Sequence, residues 1–169
     1  MIVCQYSKGY KHMNLKHLNF RIDKPRFRMI ANSWKWKGEY YQWKRYEQED
    51  KWFQSYPTQG EDDSITEVEH MLGIHIFETK PRFYWLEENS DIPIHYDEDN
   101  VTSIQINLME QTPSIGIEGV GDVPYEAMVI NNGKIRHWVD PVPYERLQLK
   151  FVMRESYDQV LRVIPDALL

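Results

Sequence analysis

From residue 73 onward, apolar and polar positions alternate in short runs broken by turn residues, the period of half-buried β-strands. The runs predict strands over residues 73–78, 82–87, 92–96, 102–108, 114–120, 127–130, 135–139 and 146–153. Asn131-Asn132-Gly133 fits a hairpin turn between two of them, because these residues tolerate positive φ. Earlier in the chain, Ser64 with Glu67 three positions on reads as a capping box that opens a helix over residues 65–72. The acidic residues 61–63 favour its positive end, Ile65, Val68, Met71 and Leu72 form its apolar face, and Gly73 ends it. Alternation around Phe27, Met29 and Ala31 points to a strand within residues 24–36. Residues 39–52 fit a short helix and an aromatic-rich strand pair equally well, and residues 155–163 read as a final short helix. Eight short strands after a helical lead fit a mainly β, double-sheet jelly roll better than a parallel α/β sheet.

No repeat, low-complexity tract or linker divides the 169 residues, so one domain is expected. Within it, residues 1–72 would flank a jelly-roll core at 73–153, and residues 154–169 would form a tail. A chain of this size buries about 70% of the surface its unfolded form exposes, enough for a core without staples. The single cysteine, Cys4, excludes a disulfide framework and a multi-cysteine zinc site. No apolar run approaches the ~18 residues that span a bilayer, and the N-terminus does not read as a secretory signal. The expected location is cytoplasmic.

Charge is unevenly spread. Residues 1–54 hold 12 Lys and Arg against 5 Asp and Glu, whereas the remainder hold 8 against 21. The segment 33–53 interleaves Trp34, Trp36, Tyr40, Tyr41, Trp43, Tyr46, Trp52 and Phe53 with Lys35, Lys37, Lys44, Arg45 and Lys51. Cations beside aromatic rings suit single-stranded nucleic acid. The same spacing suits a buried aromatic face with a solvated basic rim, and this second reading is favoured.

Two histidines stand where strands can bring them together. Alternation puts His95 and Asp97 on one face at a strand end, and His137 follows the Asn-Gly turn on a later strand. Two imidazoles and one carboxylate on one side of a metal leave positions open opposite, as in the facial triad of non-haem Fe(II) oxygenases; Mn, Co or Zn also suits such a set. Alone, His95-Tyr96-Asp97 would read as a strand entering an acidic turn, His137 as a core histidine, and Arg146 as the partner of Asp140 or Glu145. Their order along the strands, with Arg146 nine positions after His137, favours the metal reading. His12, His17, His70 and His75 lack an acidic partner at metal spacing, and no phosphate loop, nucleophile elbow or HExxH motif occurs.

The stretches RFYWLEENSDIPIHYDEDN and VINNGKIRHWVDPVPYERLQLKF resemble the double-stranded β-helix core of the 2-oxoglutarate- and Fe(II)-dependent oxygenases. The run before His95 and the R-L-x-L-x-F strand are similar to the aspartyl/asparaginyl β-hydroxylase branch, and the His-to-Arg interval is similar to prolyl hydroxylases. The resemblance covers about residues 81–152. It implies that His95, Asp97 and His137 ligate Fe(II) and that Arg146 pairs with the distal carboxylate of the cosubstrate, where a planar fork suits bidentate recognition. Tyr84 falls where relatives place a polar group on that carboxylate, with Trp85 as competitor by parity with His95. Ser103, Gln105 and Asn107 make one face of their strand polar, lining a pocket if inside the roll and solvated if outside; Asn107 is the preferred cosubstrate contact.

Three features depart from the family pattern. Residues 88–91 lack the usual glycine, Gln148 stands where many relatives have Ser, and the interval from Asp97 to His137 leaves room for only a small insertion. The implied function is that of an Fe(II)- and 2-oxoglutarate-dependent dioxygenase, an oxidoreductase that uses O2 to hydroxylate a C–H bond of a peptidyl or amino-acid side chain. Its substrate would be a small molecule or a peptide, with no membrane partner. The alternatives are a non-catalytic jelly-roll binding module and an oxygenase that engages nucleic acid through the basic aromatic segment.

Overall fold

The computed structural model describes residues 14–36, 40–42, 52–55, 62–97 and 102–169. Among the described residues, eleven strands form two antiparallel sheets: β1 (Leu15–His17), β2 (Tyr40–Gln42), β3 (Trp52–Ser55), β4 (Lys80–Leu86), β5 (Ile92–His95), β6 (Thr102–Asn107), β7 (Ser114–Ile117), β8 (Gly121–Pro124), β9 (Ala127–Ile130), β10 (His137–Val139) and β11 (Arg146–Met153). The large sheet runs β1-β9-β6-β11-β4-β3-β2 and the small sheet β5-β10-β7-β8. From β4 to β11 the chain crosses between the sheets at every connection except the β7–β8 hairpin, which is the winding of a double-stranded β-helix.

Strand alternation gives the large sheet two different faces. Leu147, Leu149 and Phe151 of β11, Phe83 of β4, and Ile104 and Ile106 of β6 point away from the small sheet into a core shared with Phe27, Ala31, Trp34, Ile65, Val68 and Leu72. The opposite, inward face carries Met128 and Ile130, which pack on Ile115, Ile117 and Val123 of the small sheet. Ser103 and Gln105 pair with Ile130 and Met128 in register, so the polar face of β6 lies inside the roll. Both side chains are buried.

The segment 24–36, expected as a strand, is the helix α1 (Lys24–Trp36). The correction has a clear cause: Phe27, Ala31 and Trp34 recur at helical spacing and are buried, whereas Met29, which made the pattern look alternating, is 71% exposed. Asp23 opens this helix, its side chain accepting from the Arg26 amide at 3.1 Å, and Pro25 needs no amide partner in the first turn. The second helix, α2 (Asp63–Met71), starts earlier than expected because Asp62, not Ser64, is its cap, and no Ser64–Glu67 box forms. Residues 73–78 are not a strand; after Gly73 the chain makes a short 3-10 turn, Ile74–Ile76. The core strands therefore begin at residue 80, and β1, β3 and β2 extend the large sheet from the N-terminal segment. The last helix, α3 (Tyr157–Val163), carries a complete Ser156–Gln159 capping box.

Two further expectations change. The run 114–120 ends at Ile117, and a separate strand, β8, follows the positive-φ residue Gly119 and opens on Gly121, also at positive φ. Asn131-Asn132-Gly133 turns the chain, but not as a hairpin, since β9 lies in the large sheet and β10 in the small one. Of the basic aromatic segment, Trp34 packs edge-on against Phe83, while Phe53 stacks on Trp85 at 4.9 Å between centroids and Lys35 Nζ lies 3.1 Å from the Trp85 ring centre. Of residues 39–52, which fitted a helix or a strand pair, the described ends Tyr40–Gln42 and Trp52 belong to the antiparallel pair β2–β3, and residues 43–51, with Trp43 and Tyr46, lie outside the described residues. Among the described residues no helix is long and apolar enough to cross a membrane.

Gly73 sits at φ 73°, and a Cβ added there would lie 2.2 Å from the Val163 carbonyl oxygen, a backbone atom that cannot step aside. Gly73→Ala is expected to cost about 2 kcal/mol or more, from left-handed strain plus the clash between α2 and α3. Urea unfolding followed by tryptophan fluorescence measures it; a loss under about 0.5 kcal/mol would show that the junction yields freely.

Candidate metal centre

Register brings the two histidines together. His137 opens β10 directly opposite His95, the last residue of β5, and their rings lie 4.4 Å apart between centroids. Asp97 follows two residues later, its amide donating to the Asn132 carbonyl at 3.3 Å. The result is a cluster in which one ligand atom each from His95, Asp97 and His137 lies within 4.8 Å of the others, a group able to hold a metal ion. His95 Nε2 is 3.2 Å from Asp97 Oδ1, and His137 Nε2 is 3.9 Å from Oδ2.

Both imidazoles have their tautomer set by the backbone. His95 Nδ1 lies 2.7 Å from the Pro93 carbonyl and His137 Nδ1 lies 3.0 Å from the Ile135 carbonyl. A carbonyl only accepts, so each Nδ1 donates to the backbone and each Nε2 is turned toward Asp97 and the cluster, the orientation that metal-ligating histidines use. Burial, only partly offset by the Asp97 charge, pushes the His137 pKa down to about 4, so this ring is neutral near pH 7.

Asp97 is held by groups from three directions. Burial would push its pKa up, but the Lys150 ammonium, the two imidazoles and the Asn132 amide outweigh that and hold the carboxyl well below the usual carboxylate range. The Asn132 side chain donates to Asp97 Oδ2, and Asn132 Oδ1 accepts from Ser103 Oγ at 2.9 Å. Gln105 Nε2 approaches Ser103 Oγ at 3.4 Å, so the polar face of β6 props up Asp97 through Asn132. Lys150 Nζ stands 3.3 Å from Oδ2 and 5.2 Å from the Tyr84 ring centre.

The other expected residues divide. Arg146 is at the start of β11, on the same inward face as Gln148 and Lys150, with its head among polar groups of the roll. Nη1 donates to the Ser114 carbonyl at 2.6 Å and Nη2 to the Asp140 carbonyl at 3.0 Å, while Nε is buried without a hydrogen-bond partner. Neither Asp140 nor Glu145 takes it as a side-chain ion pair: Trp138 holds the Asp140 carboxylate and Trp85 the Glu145 carboxylate. Beside Arg146, Tyr125 donates its hydroxyl to Gln148 Oε1 at 2.9 Å, and burial pushes the Tyr125 pKa up to about 12. Tyr84 pairs with Gln148 in register and points inward, whereas Trp85 pairs with Leu147 and points out. Asn89, at φ 55°, takes the place of the missing turn glycine, and its amide bonds to the Val142 carbonyl at 2.7 Å. Asn107 is drawn away from the centre: its amide nitrogen donates to the Met109 and Gln111 carbonyls and to Glu126, and its oxygen accepts from the Met109 amide.

Sequence reasoning named Ser103 only as part of a possible pocket face, and did not single out Asn132, Tyr125 or Lys150 as parts of this site. Lys150 had a usable signal, since it shares the parity of Arg146 and Gln148 on a strand whose other face is Leu147, Leu149 and Phe151. Asn132 had none, because it was read as a turn residue.

No family model matches the chain, and no curated protein matches it by sequence. Solved structures do resemble it in three dimensions. A prolyl-4-hydroxylase of Pseudomonas putida shares 14% identity at TM-score 0.62, with 78% of this chain and 86% of that one covered. The alpha-ketoglutarate-dependent epimerase SnoN from nogalamycin biosynthesis, solved with Fe3+, alpha-ketoglutarate and nogalamycin RO, shares 11% at TM-score 0.64, covering 85% and 79%. A viral collagen prolyl hydroxylase from Paramecium Bursaria Chlorella virus-1, solved with 2-oxoglutarate, shares 11% at TM-score 0.60, covering 82% and 94%. At these identities the likeness is one of architecture, and it agrees with the resemblance read from the sequence: the chain is built on the double-stranded β-helix found in 2-oxoglutarate/iron oxygenases.

Proposed function

We propose that the protein is an Fe(II)- and 2-oxoglutarate-dependent dioxygenase. The observation that carries this reading is the convergence of His95 Nε2, Asp97 and His137 Nε2, with each Nδ1 held by a backbone carbonyl. Two imidazoles and one carboxylate suit Fe(II) and leave further positions for co-ligands. When bound, the metal and cosubstrate would supply oxidation of a substrate C–H bond by O2, with 2-oxoglutarate converted to succinate and carbon dioxide and one oxygen atom delivered as the hydroxyl group.

The chain's own residues would bind and orient. Arg146, with an unpartnered Nε in a buried setting, suits the distal carboxylate of a five-carbon dicarboxylate. Tyr125 and Gln148 stand beside it as hydrogen-bonding groups, and Tyr84 is an inward polar group nearer Lys150. Apolar Met128, Ile130, Ile115 and Ile117 close the roll behind them and exclude water. For the reaction itself, a peptidyl or amino-acid side chain is the proposed hydroxylation target, as in the prolyl hydroxylases that share the fold.

The decisive measurement is anaerobic. Adding 2-oxoglutarate to the Fe(II)-loaded protein should produce a weak visible charge-transfer band, which succinate does not produce. A folded, Fe(II)-loaded protein that shows no band on saturation would end the oxygenase reading.

A further inference from the structure

Among the described residues, Lys150 is the one charged group at the centre that the proposed reaction does not use. Lysine is seldom buried unless paired, yet this side chain is only 8% exposed. Its place is forced by register: Lys150 sits on the inward face of β11 opposite Gln105, with Nζ between the Tyr84 ring and Asp97 Oδ2. Orientation of the carboxylate does not need it. The Asn132 amide already holds Oδ2, Ser103 holds Asn132, and the Asp97 amide is tied to the Asn132 carbonyl. What Lys150 adds is a positive charge.

That charge has two opposite consequences. Without a metal, Asp97 would be a buried anion flanked by two imidazoles, and an uncompensated buried charge is strongly destabilising. With a divalent ion in place, ammonium and metal share one carboxylate and repel each other across a poorly screened interior. We propose that Lys150 is a fixed counter-ion for Asp97, which keeps the ligand set assembled when the metal is absent and moderates the affinity for a divalent cation when it is present. The proposal rests on the metal-centre reading and not on the oxygenase chemistry.

The test uses Mn(II) binding by calorimetry and thermal unfolding with and without Mn(II), so no turnover is needed. Lys150→Met should melt at a lower temperature than wild type without metal, bind Mn(II) about tenfold more tightly, and show a larger Mn(II)-induced rise in melting temperature. Asn132→Ala, which removes the Ser103–Asn132–Asp97 positioning contacts and leaves the Lys150 charge in place, should instead weaken Mn(II) by about 10- to 100-fold. In an Asp97→Asn background, Lys150→Met should cost far less metal-free stability than it does alone. If Lys150→Met weakens Mn(II) as Asn132→Ala does, Lys150 only positions the carboxylate and the counter-ion proposal is overturned while the metal centre stands. If wild type and His137→Ala bind Mn(II) alike, the metal centre itself falls and the proposal falls with it. Should Lys150→Met alone fail to fold, recovery of folding in the Asp97→Asn background supports the proposal, and failure there overturns it.

Discussion

Replacing His137 by alanine is expected to remove divalent-metal binding and to cut 2-oxoglutarate turnover by on the order of 10³-fold, because metal catalysis is worth several kcal/mol and each 1.4 kcal/mol is tenfold. The residue is 4% exposed and its ring packs against His95 and Asp97, a place that solvent scarcely reaches. Its loss opens a polar gap rather than an apolar cavity, and the strand pairing of β10 with β5 and β7 does not depend on the ring. The variant should therefore fold, with near-wild-type circular dichroism, and fail only in metal uptake. Succinate release and metal content after dialysis measure the two effects. Retention of one equivalent of tightly bound Fe(II) by the folded variant would place the metal elsewhere.

Much of the site was legible because β-structure puts chemistry at fixed parity. His95 and Asp97 fall on one face by alternation, and the end of the 92–95 strand delivers them to the rim of the roll. Residues 127–130 and 146–153 are strands with the expected bounds, the first a continuous apolar run and the second alternating from Arg146 to Phe151. The polar run Ser103–Gln105–Asn107 was ambiguous between a pocket and a solvated face, because alternation shows that a face is polar without showing which side of the sheet is enclosed. The pairing of Ser103 and Gln105 with Ile130 and Met128 decides it.

What alternation could not show is which side chains are spent on one another. Asn107 looked like a cosubstrate contact, yet Lys24, Thr112 and Asn107 all converge on Glu126 and tie down the loop after β6. Asn132 looked like hairpin chemistry and instead supports a ligand 35 positions away. The helix over 24–36 was missed for a local reason: Phe27, Met29 and Ala31 alternate over five residues, and only the addition of Trp34 reveals the longer period. Tertiary burial, with Ala31 1% and Trp34 7% exposed, chooses between two patterns that the local sequence leaves tied.

Arg146→Ala is expected to raise the KM for 2-oxoglutarate by about 30- to 1000-fold, the 2 to 4 kcal/mol lost when one partner of a buried charged pair is truncated. The guanidinium already spends Nη1 and Nη2 on the Ser114 and Asp140 carbonyls, which fixes the plane of the fork between the start of β7 and the end of β10. Of its five N–H donors the one on Nε is buried and unpartnered, and a buried donor without an acceptor is costly unless a ligand completes it. Removing the side chain also strips a donor from each carbonyl, so a stability loss of about 1 to 3 kcal/mol should accompany the binding defect. The two effects separate in Arg146→Lys, which keeps the charge but cannot serve two carbonyls and an anion with one ammonium. In that variant 2-oxoglutarate should remain weak, while Fe(II) affinity stays within about threefold of wild type, because Arg146 is not among the groups around Asp97. If metal and cosubstrate affinities fall together in both variants, Arg146 is a tie between β7 and the loop after β10, and the distal carboxylate must be bound by another inward cation.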